Sequence, residues 1–244
     1  AVPGGPPYLL SVDAESIIRF SARLETLASQ VRVGREMADI GCDHGRLCAG
    51  LLQRGRVPQA VAVDESAAAL QKARRLAEKI DVLDRLDCRV GDGLEPLVRG
   101  EVGSIVIAGL GGHEIAGILK RGRDKLEADT CIITQPMQRQ GVLRGALLDL
   151  GLHIHKEDLV AENGRLFDVI TASFLPAPPY DPAYLEIGYR LWERRHPLLA
   201  VRVRQKCGAA RDVLSGLERG GAGEAELEKA RRLLCFYEEI LKWL

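Results

Sequence analysis

Asp39, Gly41, Asp43, Gly45 and Asp64 have types and spacings suited to holding a charged nucleoside. Asp39 lies near the end of the apolar run 37–40. The two glycines sit four residues apart with Asp43 between them, and Asp64 closes the next apolar run, 60–63. A glycine at such a turn lets the backbone approach a ligand, and the free N–H groups of the helix that follows face the same space. An acid at the end of the second strand is placed to accept hydrogen bonds from both ribose hydroxyls. A dinucleotide site would instead carry Gly-x-Gly-x-x-Gly and rest a pyrophosphate on the helix N-terminus. Here Asp43 stands where a glycine would be. Two carboxylates repel a pyrophosphate but attract an amino group and a sulfonium cation. The ligand of that description is S-adenosylmethionine, and nicotinamide-dependent redox chemistry is disfavoured. The competing reading is an ordinary strand–helix turn with Asp43 as a helix N-cap.

Three further stretches add candidate chemistry. Gly91-Asp92-Gly93 offers a carboxylate that could accept from an adenine amino group. Ala108-Gly109-Leu110-Gly111-Gly112 strips side chains from a strand edge, leaving room for a flat base beside exposed N–H groups. Thr134-Gln135-Pro136-Met137 offers a side-chain amide to a base edge, with Pro136 restricting Gln135 to extended geometry. No strong base stands out. There is no Cys-x-x-Cys pair and no histidine cluster at ligand spacing, so no metal site is expected; His153 and His155 would merely share one face of a strand.

The elements that must position these residues follow from periodicity. Apolar residues at 17, 20, 24, 27 and 31 predict a helix over 13–31. Strands are expected at 36–40, 59–63, 86–90, 103–108 and 130–134, with helices at 45–54, 66–80, 112–120 and 139–150. Such alternation implies an α/β fold with a parallel sheet wrapped by helices. After Gly151 two alternating runs flank Asn163-Gly164, the signature of a β-hairpin. A proline-rich linker, 177–184, then separates an α/β domain over 13–176 from a C-terminal segment, 185–244. In that segment Ala200, Val203, Cys207, Ala210, Leu214 and Leu217 step by three and four, as do Leu227, Ala230, Leu234, Tyr237, Leu241 and Leu244. A glycine-rich turn between them predicts an antiparallel helical hairpin with a coiled-coil seam. From Arg190 to Arg211 the bases Arg190, Arg194, Arg195, Arg202, Arg204, Lys206 and Arg211 face one acid, Glu193. Such a stripe suits a phosphate backbone. The alternative is a solvated face whose arginines pair with acids of the second arm.

Composition sets the outer limits. The chain has 244 residues, 46% apolar and 28% charged, with zero formal net charge, which describes a globular protein with one good core and a smaller appendage. Its six cysteines lie mostly in apolar runs, as expected of free thiols in a reducing cytoplasm. No apolar run approaches the ~20 residues of a membrane span, and no signal peptide is expected. The Pro- and Gly-rich residues 1–12 are expected to be disordered.

Taken together, these residues resemble the bacterial tRNA (adenine-22-N1)-methyltransferase family. The resemblance rests on Phe20-Ser21-Ala22-Arg23-Leu24, the run from Ala38 to Gly45, Gly91-Asp92-Gly93-Leu94-Glu95, Ile107 to Gly112, and Gln135-Pro136. It extends from about residue 10 to the end, and departs at Leu110, where the family usually has Met. It implies a Rossmann-like methyltransferase sheet, mostly parallel and closed by the β-hairpin, with S-adenosylmethionine as cofactor. It further implies a C-terminal coiled coil implicated in tRNA binding and methyl transfer to N1 of adenine 22. By resemblance, Asp39, Gly41, Asp43, Gly45 and Asp64 take the methionine and ribose of the cofactor, Asp92 and Gly93 its adenine, and Arg23 closes over the cofactor pocket. His44, Gly109, Gly111 and Gln135 line the methyl-transfer side, positioning substrate with no strong base. Partners would be tRNA, with neither membrane nor metal, in the cytoplasm; self-association is not specified. The alternative is a Rossmann-like methyltransferase acting on a different RNA base or a small metabolite, which would not need a basic arm of about 30 Å.

Overall fold

The computed structural model describes residues 17–244, so the expected disorder of 1–12 and the first helical residues, 13–16, lie outside the described residues. Short apolar runs become strands because both of their faces are covered. β1 (Met37–Ile40) is buried at every position, and β4 (Ser104–Ala108) and β5 (Cys131–Gln135) nearly so. With β2 (Ala60–Asp64) and β3 (Leu86–Val90) they form five parallel strands. β6 (His153–Glu162) and β7 (Arg165–Ser173) close the sheet, in the order β3-β2-β1-β4-β5-β7-β6, with β7 antiparallel to both neighbours. Asn163 and Gly164 both have positive φ, +50° and +73°, the two-residue turn that matches strand twist.

Helices cover both faces. α1 (Ala22–Gln30), α2 (Arg46–Gln53) and α3 (Ala67–Lys79) bury Leu27, Val31, Leu47, Leu51 and Leu70 on one side. α4 (Gly112–Arg121) and α5 (Gln140–Asp149) bury Ile115, Leu119, Leu143 and Leu147 on the other.

The first helix is shorter than its periodicity predicts. Ser21 is the N-cap, its Oγ accepting from the Leu24 amide, and residues 17–20 before it are not helical. Phe20 instead lies on α2, where a Cβ on Gly50 would stand 2.3 Å from its ring. The guanidinium of Arg54 covers that ring at 4.0 Å, and Ile17 is left exposed.

The C-terminal segment opens with a 3-10 turn at Pro182–Tyr184 and α6 (Tyr189–Glu193), then α7 (Leu199–Arg219) and α8 (Glu224–Trp243). Val203, Cys207 and Ala210 of the expected seam are buried, as are Ala230 and Tyr237 opposite them. Toward the tip, Leu214, Leu217 and Leu227 are half-buried. The far end of the seam differs: Leu244 is exposed while Ile240 is buried, because this end of α8 packs with Leu159, Ile187, Leu191 and Leu199 at the base of the arm.

A dry charge cluster fixes that base. Arg144 of α5, fully buried, donates to Glu157 Oε1 at 2.5 Å and to Asp168 Oδ1 at 2.8 Å. Arg202 of α7 holds the other Asp168 oxygen and the Leu166 carbonyl. Glu157 also accepts from the Arg190 amide at 2.8 Å and the Tyr180 hydroxyl at 3.2 Å. Two guanidinium and two carboxylate groups thus neutralise one another. Burial alone would lower the Arg144 pKa, but the two carboxylates raise it above the ordinary guanidinium value.

Candidate active site

Strand order reverses between β1 and β4, and the crevice at their carboxyl ends is where this architecture takes ligands. After β1 the chain turns sharply. The Gly41 and Cys42 amides both donate to Val63 O, at 2.9 and 3.1 Å, which ties the turn to β2. Gly41, Asp43 and Gly45 all have positive φ, +68°, +49° and +63°. At Gly45 the close approach is to α3: a Cβ would lie 2.6 Å from Ala73 Cβ. Asp64 braces the same turn, accepting from the Asp43 amide at 3.0 Å and from Ser66 at 2.9 Å.

Asp39 is buried, and no hydrogen bond from the described residues reaches its carboxylate. Burial first, and the Asp64 charge second, push its pKa up to about 7. A buried carboxyl without a partner is an open acceptor for a cationic or amino group. The neighbouring Cys42 and Cys48 thiols are pushed well above their ordinary value, chiefly by burial, and do not compete as nucleophiles.

Two cavities meet across Gly41 and Leu110. One, about 410 Å³, is lined by Gly41, Asp64, Asp92, Gly93, Leu110 and Arg121 among others. The second, about 360 Å³, is lined by Arg23, Asp39, Gly41, Asp43, His44, Gly109 and Leu110 among others. Of the expected residues, Asp64, Asp92 and Gly93 line the first cavity, Arg23, Asp39, Asp43, His44 and Gly109 the second, and Gly41 both. A larger cavity, about 720 Å³, is bounded by Arg99, Lys120, Arg123 and Phe174 and shares only Arg121 with the first.

Several expected residues are placed otherwise than their spacing suggests. Both Asp92 oxygens accept from Arg121 Nη2 at 2.9 Å, and the half-exposed carboxylate keeps further acceptor sites on the first cavity. Gly93 has φ +55° and a Cβ there would lie 2.9 Å from Ile118, so it sets the wall of the first cavity. In the glycine turn after β4, Gly109 needs its positive φ of +84°, and Gly112 could not carry a Cβ, which would lie 2.3 Å from Arg139 O. Gly111 has extended backbone and room for a Cβ, so the geometry itself does not demand glycine there. Gln135 is fully buried and does not line either cavity; its Oε1 accepts from Arg23 Nη1 at 2.7 Å.

His44 sits at the rim. Its Nδ1 lies 2.6 Å from Asp43 Oδ2 and its Nε2 3.1 Å from Lys72 Nζ. An ammonium has only donors, so Nε2 accepts and Nδ1–H donates to Asp43. In this arrangement both ring nitrogens of His44 are engaged by neighbouring side chains. Lys72 and Arg121 brace the site without any signal in the sequence, since each is an ordinary helix residue until the fold brings it there.

The basic stripe of the arm breaks up. Arg190 and Arg202 are buried, Arg190 donating to Ile154 O at 3.0 Å and Arg202 to Asp168. Arg194 pairs with Asp158, Lys206 with Glu186 at 2.9 Å and Arg211 with Glu238 at 2.7 Å. Only Arg195 and Arg204 are exposed with no acidic partner among the described residues. Composition overstated the stripe because a buried, paired arginine reads in sequence like an exposed one.

A methyltransferase-domain family model matches residues 20–170. A tRNA (adenine(22)-N(1))-methyltransferase of Bacillus subtilis is 34% identical over 167 residues, 68% of this chain and 69% of its own. The crystal structure of the B. subtilis m1A22 tRNA methyltransferase superposes with a TM-score of 0.83 at 25% identity, covering 92% of this chain and 99% of that one. A Streptococcus pneumoniae protein solved in complex with S-adenosyl-L-methionine superposes with a TM-score of 0.81 at 26% identity, over 91% and 100% of the two chains.

Proposed function

The chain belongs to the tRNA (adenine-22-N1)-methyltransferase family, and on that premise we propose that it methylates N1 of adenine 22 in tRNA using S-adenosylmethionine. One observation carries the reading: a buried, unpartnered Asp39 carboxylate stands in one of two cavities that meet at Gly41 and Leu110. The chemistry of that donor set fits the cofactor. Asp39 and Asp43 suit its amino group and positive charge, the Asp64 carboxylate its ribose, and the Gly93 wall its base. When bound, the cofactor supplies an electrophilic methyl group on a sulfonium.

The chain's own residues then act by placement. Adenine N1 carries a free lone pair, so no proton need be removed before attack. This agrees with a His44 whose lone pair is already engaged by Lys72. The Gly109 turn admits a flat base to the second cavity, and holding the reacting atoms about 3 Å apart in line is the main contribution required. N1 lies on the pairing edge, so the target nucleotide must be turned out of its stack, at a cost of a few kcal/mol. Asp39 and Asp43, which line the same cavity, would hold the cationic end of the cofactor and would favour the positive charge that the adenine ring gains on methylation.

The α/β unit over 13–176 is the catalytic part and the helical arm after the linker is the RNA-binding part. Arg195 and Arg204 are its most available phosphate contacts, with Arg194, Lys206 and Arg211 able to join by exchanging a side-chain carboxylate for a phosphate. The reaction is placed in the cytoplasm, in keeping with free cysteines at all six positions. Among the described residues no helix is long and apolar enough to cross a membrane. Nucleoside mass spectrometry on unmodified tRNA incubated with the protein and S-adenosylmethionine tests the function. The expected product is one N1-methyladenosine at position 22; methylation of another base, or of none, overturns it.

A further inference from the structure

Lys72, Arg75 and Lys79 of α3 recur at intervals of three and four residues, so they share one face of that helix. The opposite face carries Ala69, Leu70, Ala73 and Ala77, all buried. The three bases are exposed, and among the described residues none of them pairs with a carboxylate. Elsewhere in the α/β unit Arg54, Arg89, Arg99 and Arg121 each pair with an acid, as most bases of the arm do. Glu78, the one acid within α3, stands about 60° round the helix from Arg75 and pairs with none of the three. From Lys72 to Lys79 the row runs about 10 Å, roughly the axial rise of three nucleotides in a duplex strand.

The row starts at the site. Lys72 Nζ lies 3.1 Å from His44 Nε2, and His44 lines the second cavity. The row also stands across the sheet from the arm. α3 packs on β2 and β3 at one edge, while the root of the arm packs on Leu159 of β6 at the other. Seven strands at about 4.8 Å spacing cover about 29 Å, and the crevice between β1 and β4 lies near the middle of that span. Unneutralised cations in a row are suited to a phosphate backbone, because each contact releases a counterion and displaces no carboxylate.

We propose that the outward face of α3 is a second RNA-backbone surface, carried by the α/β unit, which holds the substrate on the side of the crevice away from the arm. The assignment rests on the tRNA methyltransferase reading above and extends it, adding Lys72, Arg75 and Lys79 to the phosphate contacts of the arm. Lys72 is the contact nearest the pocket, and Arg75 and Lys79 touch neither cavity.

The test uses the full chain carrying Arg75→Ala/Lys79→Ala or Arg75→Glu/Lys79→Glu, and leaves Lys72 in place because it contacts His44. A control, Arg32→Ala/Arg35→Ala, removes the same charge beside Asp129. Binding of an unmodified tRNA transcript is measured with S-adenosylhomocysteine present, between 50 and 200 mM salt. S-adenosylhomocysteine affinity is read by calorimetry, melting by scanning fluorimetry, and kcat and KM by methyl transfer. The alanine pair is expected to lower the salt slope by about 1.8, narrowing the affinity ratio between those salts by about 12-fold. The glutamate pair weakens tRNA binding further. In both, KM for tRNA rises while kcat, S-adenosylhomocysteine affinity and melting stay at the wild-type values, as removal of uniform binding requires. A wild-type slope and KM in both pairs would reduce the row to a solvated helix face and overturn the proposal. An equal loss in the Arg32/Arg35 control would do the same, by showing an effect of total charge alone. A wild-type protein that binds tRNA but leaves it unmethylated would overturn the parent function, while the slopes still decide the surface.

Discussion

Cofactor affinity should follow the ionisation of Asp39. In the free protein its carboxyl titrates near 7, raised by burial and then by the Asp64 charge. A cationic donor bound beside it favours the carboxylate, so binding below that pH must release a proton. At pH 5.5 only about one site in 30 is already ionised, and affinity should be about 30-fold weaker than at pH 8, or about 2 kcal/mol. The slope is tenfold per pH unit below about 7 and flat above it. The Cys42 and Cys48 thiols nearby are raised by burial and stay protonated throughout, and the Asp39→Asn variant below separates Asp39 from His44, which lines the same cavity. Calorimetry with S-adenosylmethionine from pH 5.5 to 8, in two buffers of different ionisation heat, reads both the dissociation constant and the proton released. Asp39→Asn should bind weakly at every pH with no slope. An affinity independent of pH in the wild type, or a slope that survives in Asp39→Asn, would refute the assignment of Asp39 as the open acceptor.

Other perturbations follow from the same geometry. Asp168→Ala leaves Arg144 and Arg202 short of a shared buried carboxylate and should cost about 3–5 kcal/mol, visible as a large fall in Tm; a wild-type Tm would show that the cluster is solvated. Gly45→Ala adds a Cβ 2.6 Å from Ala73 at φ +63° and should cost about 2 kcal/mol, lowering Tm by roughly 6 °C. Unchanged melting would mean that α2 and α3 separate freely. Replacing Arg195 and Arg204 together by Ala should lower the salt slope of tRNA binding by about 2 while sparing S-adenosylhomocysteine affinity; an unchanged slope would remove those two residues from the RNA surface.

Much of the fold could be read from the chain because its strands are buried on both faces and so appear as unbroken apolar runs. The Asn163-Gly164 turn likewise carries its own signature. Local readings failed where a distant partner decides the outcome. The helical spacing from Ile17 ran through Ser21, yet Phe20 seats on Gly50 of α2 and the helix starts only after the cap. Ile240 lies off the seam but is buried in the cluster at the base of the arm, with Leu159 of β6 and with Ile187, Leu191 and Leu199. In the site, the glycine turns and Asp39, Asp43 and Asp64 were readable from spacing, since each is needed within a few residues of a strand end. The Arg23–Gln135 and Arg121–Asp92 pairs join residues 112 and 29 positions apart, and no period encodes them.

The clamp of Asp168 between Arg144 and Arg202 has a mechanical meaning. A helix of 21 residues reaches about 30 Å, and pivoting it would strand charge in a dry root, at several kcal/mol. The arm is therefore held as a stiff gauge whose span from tip to pocket is set by the protein; on the proposed function, the RNA would have to bring a nucleotide to that mark by its own shape.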